Sequence, residues 1–140
     1  MTRLTPISLV LASLLAGVPA AAQQPATAPA PARPNLLLKE ALTGMPRGDK
    51  QEVRVLTATL NPGDRTVLHT HRSPVTVYIL EGAFTLEIEG RAPMTIKAGQ
   101  AYVEPPNVKM IGFNRSATEP MRVVIFYVSD PDTPFLDPIH

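Results

Sequence analysis

From Gln51 onward the chain alternates. Val53, Val55, Thr57 and Thr59 occupy one parity, and Arg54, Leu56, Ala58 and Leu60 the other. Successive side chains on a strand point to opposite faces, so a period of two predicts a strand here. The cluster Asn61-Pro62-Gly63-Asp64 reads as a turn that ends it. Val67 to Arg72 is a shorter run, broken by Ser73-Pro74. Val75 to Leu80 is β-branched and aromatic and stops at Glu81-Gly82. In Ala83 to Glu89, Phe84, Leu86 and Ile88 alternate with Thr85, Glu87 and Glu89 before a turn at Gly90-Arg91. Met94-Thr95-Ile96 ends at Ala98-Gly99, and Ala101 to Glu104 ends at Pro105-Pro106-Asn107. Val108 to Phe113 and Met121 to Val128 complete the series. Seven or eight short strands separated by turn residues predict an all-β sandwich or barrel. Leu36 to Leu42 fits either a brief helical turn or a first strand. Ser129 to His140 carries Pro131, Pro134 and Pro138 and predicts an extended arm.

Composition narrows this picture. The 140 residues suffice for at most one ordinary domain. Sixteen prolines against eight glycines disfavour long helices. Cysteine is absent, which excludes disulfides, thiolate metal sites and thiol nucleophiles. The 13 Lys+Arg nearly balance 12 Asp+Glu, a net charge of +1, so no basic face argues for nucleic acid as a partner.

Residues 1–22 read as a secretory leader. Arg3 starts it, an apolar stretch runs from Leu4 to Val18, and Ala20 and Ala22 give the small-x-small pattern, with cleavage expected before Gln23. A membrane anchor fits less well. The run is short, holds Pro6, and no polar stop-transfer cluster follows. The expectation is therefore an exported, periplasmic or secreted protein with no stable membrane span after cleavage. Residues 23–35 are Ala/Pro-rich and read as an extended spacer. The domain proper is expected at 36–140.

His69-Thr70-His71 is the segment with the most chemistry. On a strand, residues i and i+2 share a face, so both imidazoles point one way, as a metal chelate requires. Alone, the same pair equally fits two polar residues at a barrel mouth. The surroundings add to it. Gly63, His69, His71 and Gly82 stand at the spacings of the first motif of the cupin superfamily, and Gly99, Pro105 and Asn114 at those of the second. Across about residues 50–128 the chain thus resembles a small single-domain cupin. That resemblance implies a jelly-roll β-barrel with the motif residues lining its interior.

The sequence departs from the motifs at three places. The family's glutamate falls on Val75, or on Thr76 under the longer spacing. Its third histidine falls on Met110, and a motif glycine falls on Asn107, a residue that still tolerates a left-handed turn. The resemblance therefore carries over two metal ligands, His69 and His71. Met110 is read two ways, as core filling or as a soft third ligand. Two imidazoles and a thioether without a carboxylate favour copper over harder ions. Glu104 stands at a strand end where the pattern expects an apolar residue. It is either a solvated rim residue, a replacement for the carboxylate missing at Val75, or a general base. Tyr78, Tyr102 and Tyr127 read as packed strand aromatics. Arg65, Arg72, Arg91, Arg115 and Arg122 fit turns and solvated faces, and His140 a frayed end.

The functional expectation is an exported cupin that binds a small molecule, and a metal ion, in its barrel. Two alternatives stand beside it: a metal-dependent enzyme of dioxygenase, isomerase or decarboxylase type, and a metal-free module whose histidines hydrogen-bond a ligand. Exposed edges of so small a barrel, with the Pro-rich arm, predict a homodimer.

Overall fold

The computed structural model describes residues 30–140. The expected leader at 1–22 and residues 23–29 of the spacer lie outside the described residues. Pro34–His140 forms one compact unit. Its strands are β1 (Glu52–Leu60), β2 (His69–Thr70), β3 (Val75–Glu81), β4 (Ala83–Ile88), β5 (Met94–Lys97), β6 (Ala101–Glu104), β7 (Met110–Phe113), β8 (Met121–Ser129) and β9 (Asp137–Pro138). Among the described residues there is no helix, and so none long and apolar enough to cross a membrane.

Two antiparallel sheets result. One runs β1-β8-β3-β6 and the other β5-β4-β7-β2-β9. Apart from the β4–β5 hairpin, neighbouring strands are not consecutive in the chain, which gives the jelly-roll arrangement. Val75, Val77 and Ile79 of the first sheet pack against Phe84, Leu86 and Ile88 of the second, and burial follows the period of two. Packing is close enough that a Cβ at Gly112 would collide with the Phe84 ring.

In β1 the inward parity is Arg54, Leu56, Ala58 and Leu60. Val53 and Val55 face out, 68% and 61% exposed. Leu36 to Leu42 forms neither a helical turn nor a strand: Leu36, Leu37 and Leu42 are exposed, so little burial is available to order the segment. The run Val67 to Arg72 shrinks to the two residues of β2. The C-terminal arm does not fray. It folds back, and β9 pairs with β2 in the register His69↔Pro138 and Thr70↔Asp137.

The motif glycines and asparagines explain themselves locally. Gly63 takes a positive φ of 81° in the turn after β1, and its N–H donates to the Asn114 carbonyl at 3.0 Å. Buried Asn114 donates from Nδ2 to the carbonyls of Leu60 and Glu119, tying the ends of β1 and β8 together. Asn107 adopts φ 58° in the turn after β6, the left-handed conformation its position demands.

Candidate functional site

β2 and β6 belong to different sheets, and their ends meet. His69 opens β2 and His71 follows it, so both rings turn inward; they lie 4.7 Å apart, edge to face. Glu104 closes β6, where its register partner on β3 is Val75. Partners in register share a face. The carboxylate therefore enters the barrel across from the very position where the resemblance expected one. His71 Nε2 stands 3.1 Å from His69 Nε2 and 3.2 Å from Glu104 Oε2. All three residues are buried, His71 to 1% exposure and Glu104 to 5%.

The hydrogen bonds behind the rings fix their tautomers. His69 Nδ1 lies 2.7 Å from the Val67 carbonyl, and His71 Nδ1 lies 2.6 Å from the Phe135 carbonyl. A carbonyl oxygen only accepts, so each Nδ1 carries the proton and donates it. In the neutral rings both Nε2 atoms then hold bare lone pairs, turned towards each other and towards Glu104. Burial pushes the His69 imidazole below its usual pKa, against the Val67 bond that raises it, and neighbouring His71 lowers it further. His69 is accordingly neutral at neutral pH. The backbone of His71 is held as well, because the Asn107 N–H donates to its carbonyl at 2.7 Å.

These groups form one end of a chamber that offers water about 70 Å³. Its far wall is apolar: Ala58 and Leu60 of β1, Val77 of β3, and Met121, Val123 and Ile125 of β8. Phe84 and Thr66 also line the chamber, and Phe135 and Leu136 of the arm complete its lining.

The sequence candidates thus separate. His69, His71 and Glu104 come together. Met110 sits opposite His69 in the β2–β7 register, but it belongs to the apolar core and does not line the chamber. His140 is exposed. Tyr127 is fully buried, as a packed aromatic should be, edge-on to Phe135 with ring centroids 5.5 Å apart. Arg72 is more than a solvated side chain. Its guanidinium takes both carboxylate oxygens of Asp137 at 2.8 Å and ties the arm beside β2. Sequence reasoning missed Phe135, Leu136 and Asp137, and no local pattern marks them. Among the described residues no group of three or more His, Cys, Asp or Glu forms a ready-made coordination sphere; His71 instead links His69 and Glu104 in a chain.

The comparisons with known proteins fit this architecture. The cupin-domain family profile matches residues 56–127, more than half of the chain, and the protein belongs to that family. Among solved structures it is similar to an RmlC-like cupin with a double-stranded β-helix fold from Methanocaldococcus jannaschii, at 25% identity and a TM-score of 0.51, covering 59% of this chain and 71% of that one. An RmlC-like cupin from Shewanella frigidimarina matches at 18% identity and TM-score 0.50, over 58% and 69%. The DMSP lyase DddQ from Ruegeria pomeroyi shares the fold at 18% identity and TM-score 0.52, over 59% of this chain but 41% of its own. No curated protein sequence matches the chain.

Proposed function

We propose that this cupin binds a divalent first-row metal ion through His69, His71 and Glu104, at the polar end of a chamber that receives a small molecule. One observation carries the reading. Two imidazole lone pairs and a carboxylate converge in a buried place, while both Nδ1 protons are committed to backbone carbonyls. Converging acceptors repel unless a cation stands among them. A backbone carbonyl on Nδ1 is also the usual outer partner of a metal-binding histidine. The spacing fits: two nitrogens about 2.0–2.1 Å from one ion, at angles between octahedral and tetrahedral, stand about 2.9–3.4 Å apart, and here they are 3.1 Å apart.

Without a carboxylate beside the histidines, copper is the favoured ion. With Glu104 present, the donor set becomes two imidazoles and a carboxylate, which suits Fe(II), Mn(II) or Zn(II). When bound, such an ion would supply Lewis acidity towards a substrate or water. The chain's own residues orient the imidazoles, offset the ion's charge and keep bulk water out. If a substrate turns over there, the protein is a metal-dependent enzyme.

The 3.2 Å His71–Glu104 contact also supports a second, metal-free reading, in which a single proton is shared along the chain of three groups. Calorimetric titration of metal-stripped full-length protein with Zn(II) and Mn(II) decides between them. Stoichiometric binding that His69→Ala abolishes is the expected result. Absence of binding, or unchanged binding by His69→Ala, overturns the metal reading and leaves the metal-free module.

Export and dimerisation belong to the same proposal. Export rests on Arg3, the apolar run and the Ala20-x-Ala22 pattern. Self-association is supported by the outer face of the first sheet, where exposed Val55 pairs in register with exposed Phe126 beside Val53.

A further inference from the structure

The two histidines are held from different parts of the chain. Val67, whose carbonyl accepts from His69 Nδ1, stands two residues before it. The carbonyl that accepts from His71 Nδ1 belongs to Phe135, 64 residues further on, in the C-terminal arm. That arm lies beyond the stretch matched to the cupin domain. It is tied down on both sides of Phe135. Arg54 donates to the Thr133 carbonyl at 2.6 Å, Arg72 forks the Asp137 carboxylate, and the Ile139 N–H donates to the Leu68 carbonyl at 2.9 Å. Arg72 follows His71 in the chain, so the fork fastens the arm beside the imidazole that the arm holds.

We infer that the docked arm sets the His71 tautomer, and with it the readiness of the site to accept an ion. Phe135, through its carbonyl, and Arg72 and Asp137, through their fork, are then positioning residues for the site. The inference rests on the reading above and adds to its three ligands the element that arms them.

A neutral imidazole carries one ring proton, and the hydrogen bond at one nitrogen decides which atom bears it. With the arm docked, the proton stays on Nδ1 and the Nε2 lone pair of His71 is free. Without the Phe135 carbonyl the preference reverses, because Glu104 Oε2 lies 3.2 Å from His71 Nε2. A carboxylate accepts a hydrogen bond more strongly than any neutral group. The ring then loses its proton from Nδ1 to water, takes one up on Nε2 and donates it to Glu104, with no net change in charge. That exchange withdraws two donors from an incoming ion at once, since the Nε2 lone pair and a carboxylate oxygen are each occupied by the other. His69 keeps its proton on Nδ1 in either case, because its Val67 partner does not depend on the arm. The tautomer an ion needs is the one the docked arm supplies, so ion uptake and arm docking favour each other by the same factor.

Two full-length variants each undo the fork and the Leu68 bond while changing the local charge in opposite senses: Arg72→Leu/Ile139→Pro and Asp137→Leu/Ile139→Pro. Proline has no N–H for the Leu68 carbonyl, and none of the three replaced residues is buried, so the core is untouched. In metal-free protein, NMR of the imidazole nitrogens should find the His71 proton on Nδ1 in the wild type and on Nε2 in both variants, with His69 unchanged throughout. Calorimetric titration with Zn(II) should find both variants weaker by about ten-fold or more, the cost of losing an outer partner of a metal-binding histidine. Charge acting through space would instead give opposite signs, tighter binding without Arg72 and weaker binding without Asp137. Opposite signs, a His71 proton that stays on Nδ1 in both variants, or one found on Nε2 in the wild type overturns the inference; the last of these needs no variant to fold. The two claims fail separately. The stated tautomer exchange in a protein that takes up no Zn(II) sinks the metal reading alone, and equal Zn(II) binding by wild type and variants sinks the role of the arm alone.

Discussion

Replacing Glu104 with Gln separates the two readings of the site, a bound metal ion and a proton shared along the three groups. Glutamine keeps the shape and the hydrogen-bonding capacity of the side chain and removes its charge. In the metal-bound protein the carboxylate supplies both a ligand and the charge that offsets the ion. Losing only an outer partner of a metal ligand costs about 10–100-fold in affinity. A residue whose oxygen reaches to 3.2 Å from His71 Nε2 sits at or beyond the upper end of that range. Glu104→Gln is therefore expected to weaken Zn(II) or Mn(II) binding by about 100-fold or more, about 2.8 kcal/mol at about 1.4 kcal/mol per tenfold. The metal-free protein responds in the opposite direction. There the carboxylate is desolvated at 5% exposure and faces imidazole lone pairs that give it no proton. Removing such a charge is neutral or stabilising, on the order of 1 kcal/mol, which raises the melting temperature by up to about 4–8 °C in a domain near this size. Had a shared proton held the three groups, the same substitution would break a buried ion pair. That costs about 3–5 kcal/mol and lowers the metal-free melting temperature by about 12 °C or more. Scanning calorimetry in chelator, paired with metal titration, reads both signs. A variant that binds metal like the wild type, or a metal-free variant that melts 12 °C lower, refutes the reasoning.

Met110→Leu keeps the volume of a core residue that is 1% exposed but removes its sulfur. Stability changes by less than about 1.5 kcal/mol and metal affinity holds if Met110 only fills the core, whereas a ten-fold loss in calorimetric affinity makes it a ligand. Exchanging the register partners in Val75→Glu/Glu104→Val moves the carboxylate across the strand pair. The double variant is expected to regain metal binding that Glu104→Val alone loses, and a titration as weak as the single variant's defeats the idea that the two positions are equivalent. The arm responds to acid. The hydrogen bond from Arg72 holds the Asp137 carboxyl below its ordinary pKa, so its contribution is complete above the ordinary carboxylate value and is lost as pH falls through the lowered one. Exchange protection of the Ile139 amide should thus persist at mild acidity and fail only in stronger acid, and Asp137→Asn should lose that pH dependence; release of the arm already near the ordinary aspartate value contradicts the latch. Mass spectrometry of protein recovered from its host should find a chain starting near Gln23, and an intact Met1 counts against export.

The histidine pair was legible in the sequence because its information is local. A period of two and the spacings from Gly63 suffice to put His69 and His71 on one inward face, whatever the rest of the barrel does. Glu104 was half legible. Its charge in an apolar strand position marks it, but its choice between rim and interior depends on the register of β6 against β3, and strand pairing between distant segments leaves no trace in either segment alone. That register also resolves the missing carboxylate. A barrel interior is defined by where side-chain atoms arrive, not by which strand carries them, so Val75 and Glu104 can exchange roles across one rung of the ladder. The same limit hid the arm. Three prolines announce an extended chain, and an extended chain with unused N–H and C=O groups pairs with any free strand edge it meets. Which edge it meets was decided by the fork between Arg72 and Asp137 and by Phe135 packing on His71 and Tyr127, contacts that exist only once the barrel has closed. In β1 the pattern was clear but its sense was not. One parity holds two valines and two threonines, the other an arginine among two leucines and an alanine. Apolar content nearly ties, and the arginine is tolerated inside because its guanidinium lies 4.9 Å over the Tyr127 ring and donates to Ser129 and Thr133. Pattern alone places chemistry wherever neighbours in sequence are neighbours in space, and the part of this site built from β6 and the arm is the part where they are not.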